Sequence, residues 1–317
     1  MCGSPLPPPP PSPDKRGREG SCMVPKRLVF YWAQGEAQAP AIVRRCWDAW
    51  AALNPAWRVR MFNATDARQA FADRGIPHPP ATFQGQADIF RMHELEARGG
   101  VYVDAATVPV LPLDDWLPAL TREGFFAFHD PYRRRPVENW FLAATPGHPI
   151  MTAWMEETVR FWQSPRRQQV SRRELDPGDK GALAFRLTSL KLALTGGAPK
   201  AKQVLEPKKR AWSVAPGGGA DRPLHPYFWP HYLFEHMLDT RPDIRAKWSR
   251  TAKLGSYKDL MLRHWKRDYA RMTDDDIRTL TEGSRMQKLA LNGLPRDRQL
   301  DLLFALAGQP QADADRQ

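Results

Sequence analysis

Hydrophobic and polar positions alternate between two periods along the first half of the chain. The apolar run KRLVFYW, residues 26–32, predicts a first, buried strand, and apolar residues at helical spacing predict a helix from Pro40 to about Leu53. A second strand is predicted in NPAWRVRMFN and a further helix in ATDARQAFADRG, ending at Gly75. Because strand and helix alternate, we predict an α/β fold with a mixed, mainly parallel sheet flanked by helices.

The next unit, QADIFRMHELEARGGVYVDAATVPVLPLDDW, combines a helix, a double-glycine stop and a short strand. Asp88 and Arg91 are three residues apart and share one helix face. One of the two glycines at 99–100 is predicted to take the left-handed C-cap. The strand 101–103 then delivers Asp104 to the carboxyl edge of the sheet, where open α/β sheets bind ligands.

The rest of the chain completes a single-domain plan. GFFAFHD and NWFLAAT predict two more strands, HPIMTAWMEETVRFW predicts an amphipathic helix, and the pattern beyond residue 175 is mostly helical. We expect a disordered proline-rich leader over 1–25, a core over 26–175, a mostly helical acceptor-side part of the same domain over 176–308, and a disordered tail over 309–317. Met23 is an alternative start.

Composition limits the partners of the chain. Hydrophobic residues make up 42% of 317 residues, which is typical of a globular protein. The net charge of +12 favours anionic ligands such as nucleotide diphosphates, acidic polysaccharide or anionic lipid headgroups. No zinc-finger spacing, RNP-type motif or basic heptad helix occurs, so nucleic acid is not an expected partner.

Cysteine usage and hydropathy indicate the compartment. Cys2, Cys22 and Cys46 fit neither a disulfide framework nor a metal-binding spacing. No apolar run approaches the roughly 18 residues of a membrane span, and no signal peptide is recognisable. A cytoplasmic protein is expected, and a peripheral contact with the anionic inner face of a membrane is left open.

Asp104 allows several roles on its position alone. A carboxylate at a sheet edge can ligate a hard divalent cation, accept hydrogen bonds from sugar hydroxyls, or act as an acid or base. It can equally be an aspartate that only caps or forms a salt bridge. With Asp88 and Arg91 nearby and a basic chain around it, a metal-bridged diphosphate is one ligand that the pattern suggests.

The block from Ala87 to Trp116 resembles the signature of glycosyltransferases with a DXD-type motif. It is most similar to the capsular polysaccharide synthesis protein family, related to glycosyltransferase family 32. The shared pattern has an acid and an arginine, a GG[VI] break, [YW]-[ILV]-D-x-[DT] and a downstream P-L-D, here found at Asp88, Arg91, 99–101, 102–104 and 112–114.

Weaker matches extend this resemblance over most of residues 26–292. They are the opening strand with its tryptophan and QG turn, the W-x-x-x-N-P that follows, N-W-F-x-A with GHP, the aromatic segment HPYFWPHYLFEHML, and a closing S-x-x-x-K-L within GSRMQKLALN.

The resemblance implies a GT-A-type, Rossmann-like fold and a sugar transfer from a nucleotide-sugar donor to a saccharide or lipid-linked saccharide acceptor, with retention. Asp88 and Arg91 would contact hydroxyls of the donor sugar, and Asp104 would bind the ribose or the metal. Trp32 and Gln34 would lie beside the base. Electrostatic stabilisation of the diphosphate is the main contribution expected.

Asn139 and Trp140 complete the expected donor site, because Trp140 stands beside Asn139 at the start of a strand. The chain has 12 tryptophans, and those at helical spacing are predicted to be core instead: Trp47, Trp50, Trp154 and Trp162.

The chain departs from the family pattern at Ala106, where family 32 enzymes have a second acid. Either Asp104 alone anchors Mn²⁺ or Mg²⁺, or the cation is weakly held and basic residues share its role, or catalysis is lost. We favour the first. The alternative to an enzyme is a non-catalytic nucleotide- or carbohydrate-binding relative with a degenerate motif.

Overall fold

The structure is a computed structural model that describes residues 23–80, 82–129, 136–163, 207–215, 227–264, 269–291 and 293–308. Most of the predicted leader and the whole tail lie outside the described residues. So do DKGALAFRLTSLKLALTG, whose pattern predicts a helix, and nearly all of VAPGGGADRPLHP, whose composition predicts a loop. The strands are β1 Arg27–Tyr31, β2 Arg58–Phe62, β3 Gly100–Val103, β4 Thr107–Pro109, β5 Phe125–Ala127, β6 Phe141–Ala144 and β7 Met286–Lys288.

The main sheet has the strand order β2-β1-β3-β6-β5. Strand β1 runs parallel to both β2 and β3, whereas β6 is antiparallel to β3 and β5. Four of its five strands therefore point the same way, so the predicted mixed, mainly parallel sheet is confirmed. The carboxyl ends of β1 and β3 meet at one edge.

Helices flank this sheet and form most of the remaining described structure. They are α1 Ala41–Leu53, α2 Ala64–Asp73, α3 Phe83–Arg98, α4 Leu113–Leu120, α5 Pro149–Trp162, α6 Pro207–Val214, α7 Trp229–Thr240, α8 Pro242–Arg250, α9 Met261–His264, α10 Asp274–Thr281 and α11 Asp297–Leu306. The pattern of YKDLMLRHWKRDYARM predicts one helix, whereas the structure describes this segment as short pieces, with 265–268 outside the described residues.

Helix boundaries follow the local signals. Helix α1 begins directly after Pro40, and Asn63 accepts the backbone N–H of Thr65 at 2.7 Å as the N-cap of α2. Thr273 is the N-cap of α10, so the aspartates at 274–276 form its first turn and lie after the cap.

Gly99 and Gly100 let β3 start immediately after α3. Their φ angles are 63° and 109°, and a Cβ on Gly100 would lie 2.6 Å from the carbonyl oxygen of Arg27. Only glycine fits this turn, because the chain must reverse direction and bring β3 against β1.

A second, two-stranded sheet was not predicted. Strands β4 and β7 pair antiparallel, with Thr107 opposite Lys288 and Pro109 opposite Met286. Trp50 of α1 donates from its indole N–H to the Thr107 carbonyl at 2.8 Å, and the Asn54 side chain accepts the Leu113 N–H at 2.7 Å. The W-x-x-x-N-P motif thus fixes the segment that follows β3.

The core consists of three apolar clusters, two against the main sheet and one around the second sheet. Trp50, Trp154 and Trp162 are fully buried as predicted, and Trp47 is half-buried. In the described parts of the chain, no helix combines the length and apolar character needed to cross a membrane.

Candidate functional site

The site lies at the carboxyl edge of the main sheet. Asp104 follows β3, and its backbone N–H donates to the carbonyl of Trp140 at 2.8 Å. Trp140 directly precedes β6, so this bond continues the pairing of β3 with β6. Trp32 follows β1, the parallel neighbour of β3. Residues that are distant in sequence therefore emerge side by side, as the strand pattern predicted.

Arg91 is the centre of the site. Its guanidinium is 3.2 Å from Oδ1 of Asp88 and 3.3 Å from Oδ1 of Asp104. It also donates to the carbonyl oxygens of Asn139 and, at 3.1 Å, Ala87. The side chain is almost fully buried, so its charge is neutralised by these two acids rather than by water.

Asp88 is the less exposed of the two acids. Besides Arg91, it accepts a hydrogen bond of 2.9 Å from Nδ2 of Asn139. Burial raises the pKa of Asp88 to about 6, although Arg91 opposes the change. Asp88 is thus held between two donors and can change protonation in mildly acidic solution.

Asp104 lies between two cations. Its Oδ2 is 2.5 Å from Nζ of Lys288, and its Oδ1 accepts a 3.3 Å hydrogen bond from the Tyr102 hydroxyl in addition to the Arg91 contact. Burial opposes ionisation, but Lys288 and Arg91 outweigh it and keep the pKa of Asp104 below its usual range. Asp104 is therefore a charged carboxylate with a cation in contact with each of its oxygens.

Tyr227 and Arg263 lie within electrostatic range of these acids. Burial raises the pKa of Tyr227, and the charges of Asp88 and Asp104 raise it further. Arg263 is half-buried and helps to lower the pKa of Asp104. Both residues come from the C-terminal part of the chain, which thus contributes to the electrostatics of the site.

The donors beside Asp104 do not fit a divalent cation. Both oxygens of its carboxylate already face a cation or a hydroxyl donor, and the carboxylate of Asp88 is held by Arg91 and Asn139. Within the described residues, no group of three or more His, Cys, Asp or Glu side chains could hold a metal. The expected Mn²⁺ or Mg²⁺ on Asp104 stays a prediction that this donor set does not favour.

Ala106 occupies an apolar environment, which explains the missing second acid. The residue is buried in the third cluster, with Val108 and Leu262 among its members, and its carbonyl accepts the Leu289 N–H at 2.8 Å. A carboxylate here would be desolvated without a described partner. The chain has therefore built this position into the core around the second sheet.

Of the other predicted donor-site residues, Asn139 joins the cluster through its contacts with Asp88 and Arg91. Trp140 is 3% exposed and stacks on Phe128 with ring centroids 5.2 Å apart. Its contact with the donor stays a prediction that this burial does not favour. Trp140 instead lies 5.1 Å from Nζ of Lys288, a cation–π distance.

Trp32 is half-buried at the end of β1, and Gln34 is exposed in the turn that follows. Both stand at the edge where Asp104 emerges. Their contact with a nucleotide base stays a prediction.

Asp114, from the P-L-D element of the motif, has a structural place. It accepts from Nζ of Lys26 at 2.6 Å and from the indole N–H of Trp57 at 3.0 Å, at the start of α4. This part of the signature fixes the fold and does not join the charged cluster.

Lys288, Tyr102, Arg263 and Tyr227 were missed as site residues. Lys288 lies in the closing S-x-x-x-K-L segment, so the motif itself carried a signal, but nothing local linked it to Asp104 across 184 positions.

One cavity is unrelated to this cluster. It has a volume of about 280 Å³ and lies beside β1, β2 and helices α2 and α3. None of Asp88, Arg91, Asp104 or Lys288 lines it.

The fold and the site together define an α/β protein with a cluster of charged side chains at the carboxyl edge of its sheet. Residues 19–169 match the family model described as "Capsular polysaccharide synthesis protein". That match contains Asp88, Arg91, Asp104, Asn139 and Trp140, and it confirms the predicted resemblance to this family.

A curated relative is the "Initiation-specific alpha-1,6-mannosyltransferase" of Schizosaccharomyces pombe (strain 972 / ATCC 24843), 36% identical over 80 residues. The alignment covers 21% of this chain and only 20% of that protein.

Similar solved structures include "PaToxG Glycosyltransferase", with 15% identity, a TM-score of 0.32, and coverage of 54% of this chain and 69% of that chain. The ligand-free and UDP-bound glycosyltransferase domains from the YGT toxin have identities of 11% and 10% and TM-scores of 0.39 and 0.36. They cover 81% and 82% of this chain, and 88% and 89% of their own.

Proposed function

We propose that this chain is a glycosyltransferase that moves a sugar from a nucleotide-sugar donor to a saccharide acceptor, with retention, in the synthesis of a surface or capsular polysaccharide. The family match over residues 19–169, which contain Asp88, Arg91 and Asp104, supports the transferase class and the capsular role. The mannosyltransferase relative supports sugar transfer, although this chain spans a fifth of its length.

The observation that carries the proposal is the arrangement of Asp88, Arg91, Asp104 and Lys288 at one sheet edge. Two acids and two cations lie in direct contact there and are mostly buried. The acids can accept hydrogen bonds from sugar or ribose hydroxyls, and the cations can face phosphate oxygens.

In this sugar transfer, the main tasks of the protein are to position the reactants and to stabilise the charge of the leaving diphosphate. The bond between the anomeric carbon and the diphosphate oxygen breaks, and its electron pair leaves with the diphosphate. The acceptor hydroxyl oxygen bonds to that carbon, and its proton goes to the departing diphosphate. Negative charge thus builds up on the diphosphate, where cations lower the barrier.

The acceptor would be a saccharide or a lipid-linked saccharide. The net charge of +12 would favour a contact with an anionic membrane surface that carries such an acceptor. This part of the proposal follows from charge and from the family description.

The test is a thermal-shift screen of the full chain against a panel of nucleotide sugars, followed by assays of donor hydrolysis and transfer. One donor should raise the melting temperature and be turned over, and Asp104→Asn should remove turnover. Asp115→Asn, an exposed acid on α4, is the matched control and should behave as the parent. Binding without turnover would contradict the enzyme and indicate the non-catalytic relative.

A further inference from the structure

The carboxylate expected to hold a metal already has a cation on it. Nζ of Lys288 lies 2.5 Å from Oδ2 of Asp104, on the side not used by Arg91 and Tyr102. A divalent cation at that oxygen would be repelled by the ammonium already in contact with the same atom. Lys288 thus already supplies a positive charge to the oxygen that a metal would use.

Lys288 is placed rigidly by the second sheet. Strand β7 pairs with β4, which begins three residues after Asp104. The preceding residue, Gln287, is fully buried and forms three hydrogen bonds, with the N–H of Leu262 and with the carbonyls of Lys258 and Leu280. A cation held in this way needs no reorganisation when a charged ligand arrives.

The side chains of the site carry a net positive charge that can bind an anion. Arg91 and Lys288 offset Asp88 and Asp104, and Arg263 adds a further positive charge within electrostatic range of Asp104 and Lys288. An ammonium also has three N–H donors, of which Asp104 accepts one. The remaining donors can bind phosphate oxygens.

We infer that Lys288 takes the place of the divalent cation, so that the donor's diphosphate is neutralised by Lys288 with Arg263 and sugar transfer proceeds without metal. This inference rests on the proposed function. Asp104 then acts as a positioning residue that holds the ammonium, and Ala106 is no defect because no metal requires a second acid. The electron pair of the broken bond leaves on a diphosphate that already faces Lys288.

The experiment measures two things on the full chain in a chelator and in added Mn²⁺ or Mg²⁺. Calorimetry follows the binding of inorganic pyrophosphate and of nucleoside diphosphates, and a turnover assay follows donor hydrolysis. The variants are Lys288→Met, Lys288→Arg and Lys288→Ala. The control is Lys258→Met, because Lys258 is an exposed lysine on the 3-10 helix Lys258–Leu260.

The parent should bind pyrophosphate and turn over donor equally well with chelator and with metal. Lys288→Met should lose at least tenfold in pyrophosphate affinity and at least a hundredfold in turnover, and Lys288→Arg should keep part of both. In Lys288→Ala, which frees Asp104, millimolar Mn²⁺ should restore part of the turnover. The control should match the parent.

The inference is overturned if chelator abolishes pyrophosphate binding or turnover in the parent, or if Lys288→Met and Lys288→Arg, shown to be folded by circular dichroism, bind pyrophosphate as the parent does. Failure of the proposed function gives a different result. In that case pyrophosphate still binds through Lys288 in chelator, which supports the lysine's anion-binding role, and no donor of the panel is turned over.

Discussion

Asp104 and Lys288 form a 2.5 Å ion pair across 184 positions of the sequence. The pair connects the end of a central strand with a strand of the second sheet, and Arg91 binds the same carboxylate from the other side. Asp104 therefore joins the N-terminal and C-terminal parts of the chain within the charged cluster.

We predict that Asp104→Asn lowers turnover at least a hundredfold. The amide keeps the shape but leaves Lys288 and Arg91 without their shared countercharge, so the two cations repel. The free energy of unfolding should fall by about 1–3 kcal/mol because Asp104 is only partly buried. Urea unfolding and a donor-hydrolysis assay measure both, with Asp115→Asn as control. Parent-level turnover in Asp104→Asn would show that the acid is only structural.

Asp88→Ala and Arg91→Ala should be non-additive. The two side chains are 3.2 Å apart, so each single change removes the same contact, and the double variant should lose less stability and donor affinity than the sum, by about 1–3 kcal/mol. The control combines Asp88→Ala with Asp301→Ala, because Asp301 pairs with Arg45 instead. Additivity in both pairs would argue against a common site.

The raised pKa of Asp88 predicts a specific dependence of stability on pH. Its folded-state pKa is about 6, against an ordinary value near 4, so between these values the folded protein holds a proton that the unfolded chain has released. This contribution is fully present below about pH 4 and is lost as pH rises through 6.

Stability of the parent relative to Asp88→Asn should therefore fall between pH 4 and 6. Asp104 acts in the opposite direction, but at pH values below its ordinary pKa, because its own pKa is lowered. Urea unfolding of both proteins across this range is the measurement. A difference that stays flat with pH would contradict the assignment.

Ala106→Asp should destabilise the fold and should not create a metal site. The new carboxylate would lie in an apolar cluster, which costs at least about 2 kcal/mol. Ala106→Asn separates the effect of charge from that of size, and should lower the free energy of unfolding less at neutral pH. If Ala106→Asp instead lowers the metal concentration for half-maximal activity, Asp104 binds a metal ion.

Gln287→Leu should impair turnover beyond its effect on folding. The change removes three hydrogen bonds to backbone groups, a loss of about 2–4 kcal/mol, and loosens the strand that carries Lys288. Gln299 is the matched control, since it also bonds three backbone groups but away from β7. Gln299→Leu should cost similar stability while the folded fraction keeps its turnover. Equal turnover in the two variants would rule out a role for strand position.

The sequence alone determined the plan of the main sheet and half of the site. Periodicity over long segments placed β1, α1, α3 and α5, since local spacing decides which face is buried. The two glycines before β3 are required by positive φ angles, and the position of Asp104 after that strand followed from the direction of parallel strands. Asp88 and Arg91 share a helix face by spacing alone.

Tertiary structure decided the rest. Strands β4 and β7 have three residues each, too few to show a period, and Thr107 pairs with Lys288, 181 positions later in the chain. No local pattern therefore brings Lys288 to Asp104. Burial of Ala106 and Trp140 depends on the same packing. Electrostatic interactions depend on distance in space, so the sequence pattern indicated Asp104 but only the fold showed that Lys288 is its partner.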